Sequence, residues 1–231
     1  MSYLFRRIIS NREEPGIKLV IFDFDGTLAD TRELMLRIIK KHLLAFGISL
    51  SKDLVTFFGN TPLMHYLKIV GLPSDLIKSV CAGIHDDFSK EYHKIKPCKN
   101  LMTIKNIKTR KVIVTNNVTF FVEKTLNFLK ANFFDGVYGS DKFYSYNKIW
   151  MIDKLRKKYG LSRSEIVYVG DKDIDVGVAH RAGVYSVAIS NKSSWSSRKA
   201  IALKRPDYLL TDLSKVSNVI RQIDSEQLAA V

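Results

Sequence analysis

Short apolar runs recur along the chain and alternate with stretches patterned at the period of a helix. Lys18-Leu19-Val20-Ile21-Phe22 is almost continuously apolar and closes on Asp23, as a parallel strand covered on both faces does. Similar runs lie at 112–114, 166–169, 185–189 and 208–210. Between them, 119–131, 148–159, 174–182 and 212–223 read as amphipathic helices. In the second of these, Met151, Ile152 and Leu155 line one side, opposite Lys154, Arg156 and Lys157. Ser162-Arg163-Ser164-Glu165 has the spacing of a helix capping box, but the β-branched run that follows ends at Gly170. That segment is therefore read as a strand approach with no helix. Strands alternating with helices predict an α/β fold with a doubly wound, Rossmann-like parallel sheet.

One stretch breaks the alternation. Met35, Ile38, Ile39, Leu43 and Phe46 recur at helical spacing up to Gly47, and further helical patterns follow at 62–70 and 74–92, punctuated by Gly71 and Pro73. A wholly helical block between the first and second core strands predicts an inserted cap domain. The expected organisation is an N-terminal extension at 1–15, an α/β core at 16–30 and 94–231, and a helical cap at 31–93. The polar segment 190–198 is expected to be a surface loop.

Composition narrows the class. Of 231 residues, 46% are hydrophobic and 26% charged, close to the globular norm, which excludes a disordered or fibrous chain. Cys81 and Cys98 are too few for a disulfide framework and lack zinc or redox spacing. No apolar run reaches the ~18 residues that span a bilayer, and Arg6-Arg7 interrupts the only N-terminal apolar patch. A soluble, cytoplasmic protein without a membrane span is expected. The formal charge of +14 is uneven: no acid occurs from Tyr92 to Val122, while Lys94, Lys96, Lys99, Lys105, Lys108, Arg110 and Lys111 are all basic. Such a field attracts anions of any kind, from phosphorylated metabolites to nucleic acid. A solvated basic face is the plainer account.

The candidate chemistry sits where strands end. In Asp23-Phe24-Asp25-Gly26-Thr27 the two carboxylates lie two residues apart and can face the same way, while Gly26 permits a tight turn. Such a pair repels unless a cation lies between the two or one keeps a proton. It therefore suits a divalent metal, or a nucleophile beside an acid/base. Gly170-Asp171-Lys172-Asp173-Ile174-Asp175 again ends a strand and enters a helix, so Asp171 and Asp175 can converge. Simple helix capping accounts equally well for Asp173 and Asp175. Thr115-Asn116-Asn117 ends the second strand with groups able to hold an anion, and Lys148 opens a helix.

The order Asp-x-Asp-Gly-Thr, strand-end Thr, Lys, Gly-Asp-x-x-x-Asp resembles the phosphatase branch of the haloacid dehalogenase superfamily over roughly residues 17 to 215. The helical insert resembles the caps of its phosphoglycolate phosphatase-like members. The resemblance implies Asp23 as nucleophile and Asp25 as general acid/base, with Thr115, Asn116 and Lys148 binding the phosphoryl group. It also implies Mg²⁺ held by Asp23, Asp171 and the Asp25 main-chain carbonyl, with Asp175 in support. The family usually has Pro after the Lys; here Ile149 follows Lys148, which makes Lys142 a rival for the phosphate contact. The stretch from Pro97 to Arg110 also lacks the glycines usual before the second strand.

The expected function is a Mg²⁺-dependent phosphatase acting on a small phosphorylated metabolite through an aspartyl-phosphate, as a monomer or homodimer. A phosphomutase would use the same motifs and differ by its bisphosphate dependence. A nucleic-acid-associated protein is the alternative from another class, motivated by the charge alone and disfavoured by the full catalytic set.

Overall fold

The computed structural model describes residues 15–49, 61, 63–142 and 147–230. Nearly all of the expected N-terminal extension, together with 50–60 and Pro62 of the expected cap, lies outside the described residues. Strands β1 (Leu19–Phe22) and β2 (Ala29–Asp30) lead into helices α1 (Arg32–Leu44), α2 (Leu63–Ile69) and α3 (Ile77–Lys90). Then come β3 (Lys96–Pro97), β4 (Arg110–Val114), α4 (Thr119–Phe128), β5 (Gly136–Tyr138) and α5 (Lys148–Lys158). The chain closes with β6 (Ile166–Gly170), α6 (Asp173–Ala182), β7 (Tyr185–Ile189), α7 (Arg198–Leu203), β8 (Tyr208–Leu210) and α8 (Val216–Ala229).

The main sheet runs β5-β4-β1-β6-β7-β8 with every pairing parallel. The continuous apolar runs are explained by burial on both faces. In β1, Val20 and Phe22 join one core with α4 and α8, while Leu19 and Ile21 join another with α5 and α6. The same alternation sends Ile113 to the first core and Val112 and Val114 to the second. The chain leaves β1 toward β4 and β5, then returns to the other side of β1 at β6. That reversal opens a crevice at the carboxyl ends of β1, β4 and β6, the usual binding place in an open α/β sheet.

The three helices α1 to α3 are set between β1 and β4, and no strand occurs among their described residues. α1 buries Leu34, Ile38, Ile39 and Leu43 against α3, which buries Ile77, Val80, Ile84 and Phe88. Phe88 stacks on Phe121 of α4 with ring centroids 4.2 Å apart, joining this block to the sheet's first core. Its two connections pair antiparallel as β2 and β3, Ala29 opposite Pro97 and Asp30 opposite Lys96.

Four local expectations need correction. β5 was not anticipated; at three half-buried residues it is too short to show a periodicity. The Ser162–Glu165 capping box is real, but it caps a single 3₁₀ turn at Arg163–Glu165, with the Ser162 N–H donating to Glu165 Oε2 at 2.7 Å. The last helix begins at Val216 and runs on to Ala229, past the expected end at 223. The segment 190–198 is not simply a surface loop, because Ser193, Ser194 and Trp195 are buried and α7 begins at Arg198. No helix among the described residues is long and apolar enough to cross a membrane.

Candidate active site

Asp23 directly follows β1 and is 1% exposed. Its N–H donates to Val169 O at 2.8 Å, extending the β1–β6 ladder by one step, and its Oδ1 accepts the Phe24 N–H at 2.8 Å. Oδ2 points at two ammonium groups, Lys148 Nζ at 2.9 Å and Lys172 Nζ at 3.4 Å. These two ammonium groups are the contacts that face Oδ2 among the described residues. Burial pushes the Asp23 carboxyl up, but Lys148 and Lys172 outweigh it and hold the group below the ordinary range.

Asp25 is half-buried and differently surrounded. Its Oδ1 accepts the Thr31 hydroxyl at 2.8 Å, and Asn117 Nδ2 lies 3.2 Å from both carboxylate oxygens. Burial, and then the charge of Asp23, raise this carboxyl above its ordinary value despite those bonds. The turn between the two acids depends on Gly26, which has φ +79°. A Cβ there would also stand 2.4 Å from Asp171 Oδ2. Thr27 completes the turn by donating its hydroxyl to Asp171 Oδ1 at 2.8 Å.

Asp171 directly follows β6 and has no exposed surface. Besides Thr27 it accepts the Trp195 N–H at 2.7 Å, so the misread segment 190–198 is a wall of the site. Burial pushes the Asp171 carboxyl up to about 8. Asp175, in the first turn of α6, accepts Lys148 Nζ at 2.9 Å and the Tyr168 hydroxyl at 3.2 Å through Oδ1. Its Oδ2 accepts the Lys172 N–H at 3.1 Å, closing the helix N-terminus. Lys148 thus bridges Asp23 and Asp175, and their charges keep its ammonium well above the ordinary range although burial opposes this.

Lys148 is delivered by the first turn of α5. Asn147 caps that helix by accepting the Ile149 N–H at 2.8 Å, a donor that a proline at 149 would lack. The side chain of the rival, Lys142, lies outside the described residues. Thr115 is fully buried one residue beyond β4, donating its N–H to Tyr138 O at 3.1 Å and accepting the Asn117 N–H on Oγ1 at 3.1 Å. Asn116 is exposed, whereas Asn117, two residues from Thr115, turns back onto Asp25. Sequence reasoning passed over Asn117 and Lys172. The two-residue alternation that linked Asp23 to Asp25 also links Thr115 to Asn117, and would have found it.

Carboxylate oxygens of Asp23, Asp171 and Asp175 lie within 4.8 Å of one another, all three residues buried. The Asp25 side chain is not part of this group. Three converging hard oxygens, with Asp171 raised by burial despite Lys172 nearby, fit Mg²⁺ rather than a softer ion.

Comparison with known proteins gives a consistent picture. A family model described as haloacid dehalogenase-like hydrolase matches residues 20–189. A protein of Caldanaerobacter subterraneus subsp. tengcongensis that carries the name of the pyrophosphatase PpaX is 26% identical, over 91% of this chain and 98% of its own length. A phosphoglycolate phosphatase of Vibrio cholerae is also 26% identical, over 89% of this chain and 97% of its own. Among solved structures, a haloacid dehalogenase-like hydrolase of Streptococcus pneumoniae superposes with a TM-score of 0.77 at 20% identity, covering 88% of this chain and 98% of that one.

Proposed function

We propose, from the premise that the chain belongs to the haloacid dehalogenase-like hydrolase family, that it is a Mg²⁺-dependent phosphatase of small phosphorylated metabolites working through an aspartyl-phosphate. The observation that supports this most is the contrast between Asp23 and Asp25. Two carboxyls separated by one residue are driven in opposite directions, Asp23 toward the charged form and Asp25 toward the protonated one. Such divergence separates a nucleophile from an acid/base.

In this reading Asp23 Oδ2 attacks phosphorus and the ester P–O bond breaks, while Asp25 gives its proton to the leaving oxygen. Asp25, now a carboxylate, takes a proton from water. That water's oxygen bonds to phosphorus, the Asp23–phosphorus bond breaks, and inorganic phosphate and the starting carboxylate are restored. Thr31 and Asn117 fix the Asp25 carboxyl through both steps. Lys148 orients the Asp23 carboxylate and, with the Thr115 hydroxyl and the strand-end chain at Asn116, receives the phosphoryl oxygens. Mg²⁺, when held by Asp23, Asp171 and the Asp25 main-chain carbonyl with Asp175 in support, supplies the remaining charge neutralisation. The helical block at 31–93 acts as a lid pivoting on the β2–β3 connections, shutting out bulk water and selecting the leaving group.

The relatives' names point to pyrophosphate and phosphoglycolate as first substrates to test. Phosphate release is measured on these two, sugar phosphates and nucleoside monophosphates, with Mg²⁺ and with EDTA. Mg²⁺-dependent turnover of at least one small phosphate is expected; none across the panel overturns the reading.

A further inference from the structure

Lys172 is one of three residues that the family motif leaves unspecified, and its placement is costly. It is the N-cap of α6, with extended backbone at φ −110° and ψ 151°. Helix N-termini favour short side chains that accept hydrogen bonds, and their dipole disfavours a cation. Lys172 is nevertheless 9% exposed, so a charged amine has been taken out of water at the positive end of a helix. Its backbone task, donating the N–H to Asp175 Oδ2, does not require a lysine side chain. Nor does bridging Asp23 to Asp175, which Lys148 already does at 2.9 Å to each. The ammonium instead goes to the attacking oxygen of Asp23, 3.4 Å away, the same oxygen that Lys148 approaches to 2.9 Å.

We propose that Lys172 is a second phosphate-binding cation, which with Lys148 brackets Asp23 Oδ2 and holds a phosphate dianion even before Mg²⁺ arrives. This rests on the phosphatase reading. Lys148 is shared between Asp23 and Asp175, so Lys172 brings the second positive charge to Asp23 Oδ2. Without Lys172 the site would repel a dianion more strongly and depend more heavily on the metal. The same ammonium opposes a second cation at Asp23, so it weakens Mg²⁺ binding in the absence of phosphate.

The test is calorimetric titration of the full chain, with inorganic phosphate in EDTA and separately with MgCl₂, for the parent, Lys172→Met and Lys172→Arg. Loss of a charge-assisted contact predicts a phosphate affinity lower by roughly ten- to hundredfold in Lys172→Met. Mg²⁺ should bind that variant more tightly than the parent, and Lys172→Arg should keep most of the phosphate affinity. Unchanged phosphate affinity in folded Lys172→Met overturns the assignment while leaving the phosphatase reading intact. A parent that hydrolyses nothing and binds no phosphate, with or without Mg²⁺, sinks both. Should Lys172→Met not fold, Lys172→Gln replaces it; failure of both to fold assigns Lys172 to structure and overturns the proposal.

Discussion

Replacing Asp171 by Asn should make the metal-free protein more stable at pH 8 while destroying its response to Mg²⁺. Burial raises this carboxyl from 3.8 to about 8 in the folded state. The folded form then binds a proton that the unfolded chain has already released, so stability falls as pH rises from about 4 toward 8. At about 1.4 kcal/mol per unit, the penalty approaches 5 kcal/mol at pH 8 and is nearer 2 kcal/mol at pH 5. The amide removes it but can accept only one of the two donors, Thr27 Oγ1 and Trp195 N–H, that now bond Asp171. That loss costs about 2 kcal/mol. A net gain of roughly 3 kcal/mol remains at pH 8, or about 6–12 °C in Tm for a chain of this size, and almost nothing at pH 5. Thermal unfolding in EDTA at the two pH values measures this directly. Adding Mg²⁺ should then raise the Tm of the parent and not that of Asp171→Asn. An Asp171→Asn protein less stable than the parent at pH 8 in EDTA would refute the reasoning, since Asp171 would then carry no buried-charge penalty.

Gly26→Ala should lose about 1–2 kcal/mol from its left-handed backbone alone, with a further loss from the approach to Asp171, read as a fall in Tm together with weaker Mg²⁺ binding. Asn117→Leu removes bonds that favour charged Asp25, so its carboxyl should rise further. The alkaline limb of kcat/KM, which needs protonated Asp25, should then move to higher pH, and an unmoved limb would remove Asn117 from the acid/base pair. If the basic run from Lys94 to Lys111 only steers small anions, salt should lower kcat/KM smoothly and modestly. A log–log slope of about −0.9 per contacted phosphate in duplex binding would instead mark a polynucleotide partner.

The central strands were legible because burial on both faces turns each into an unbroken apolar run, as in β1 and β6. β5 escaped because Gly136-Val137-Tyr138 is short and half-buried at the sheet edge. The wall at 190–198 was misread because its polar groups are satisfied by nearby main chain and by Asn191 and Asp173. Asn191 N–H donates to Ser194 Oγ at 3.0 Å, and Ser194 Oγ donates to Ile189 O at 3.1 Å, so polar residues could be buried without an apolar signature. The structure brings Asp23, Lys148, Asp171 and Asp175 together from two strand ends and two helix starts, the places where their motifs stand in the chain. What spacing did not convey was direction. Lys172 carried no reading of its own until the N-terminal turn of α6 aimed it inward, and Asn116 was preferred to Asn117 although Asn117 shares the buried side of the strand end with Thr115.

The most direct test of the aspartyl-phosphate account is acid quenching during turnover, followed by mass analysis of the peptide containing Asp23. The parent mixed with a turned-over phosphate and Mg²⁺ should show a fraction of this peptide heavier by one phosphoryl group, localised to Asp23, and folded Asp23→Asn should show neither the adduct nor turnover. Turnover by a folded Asp23→Asn protein at near the parent's kcat would contradict the account.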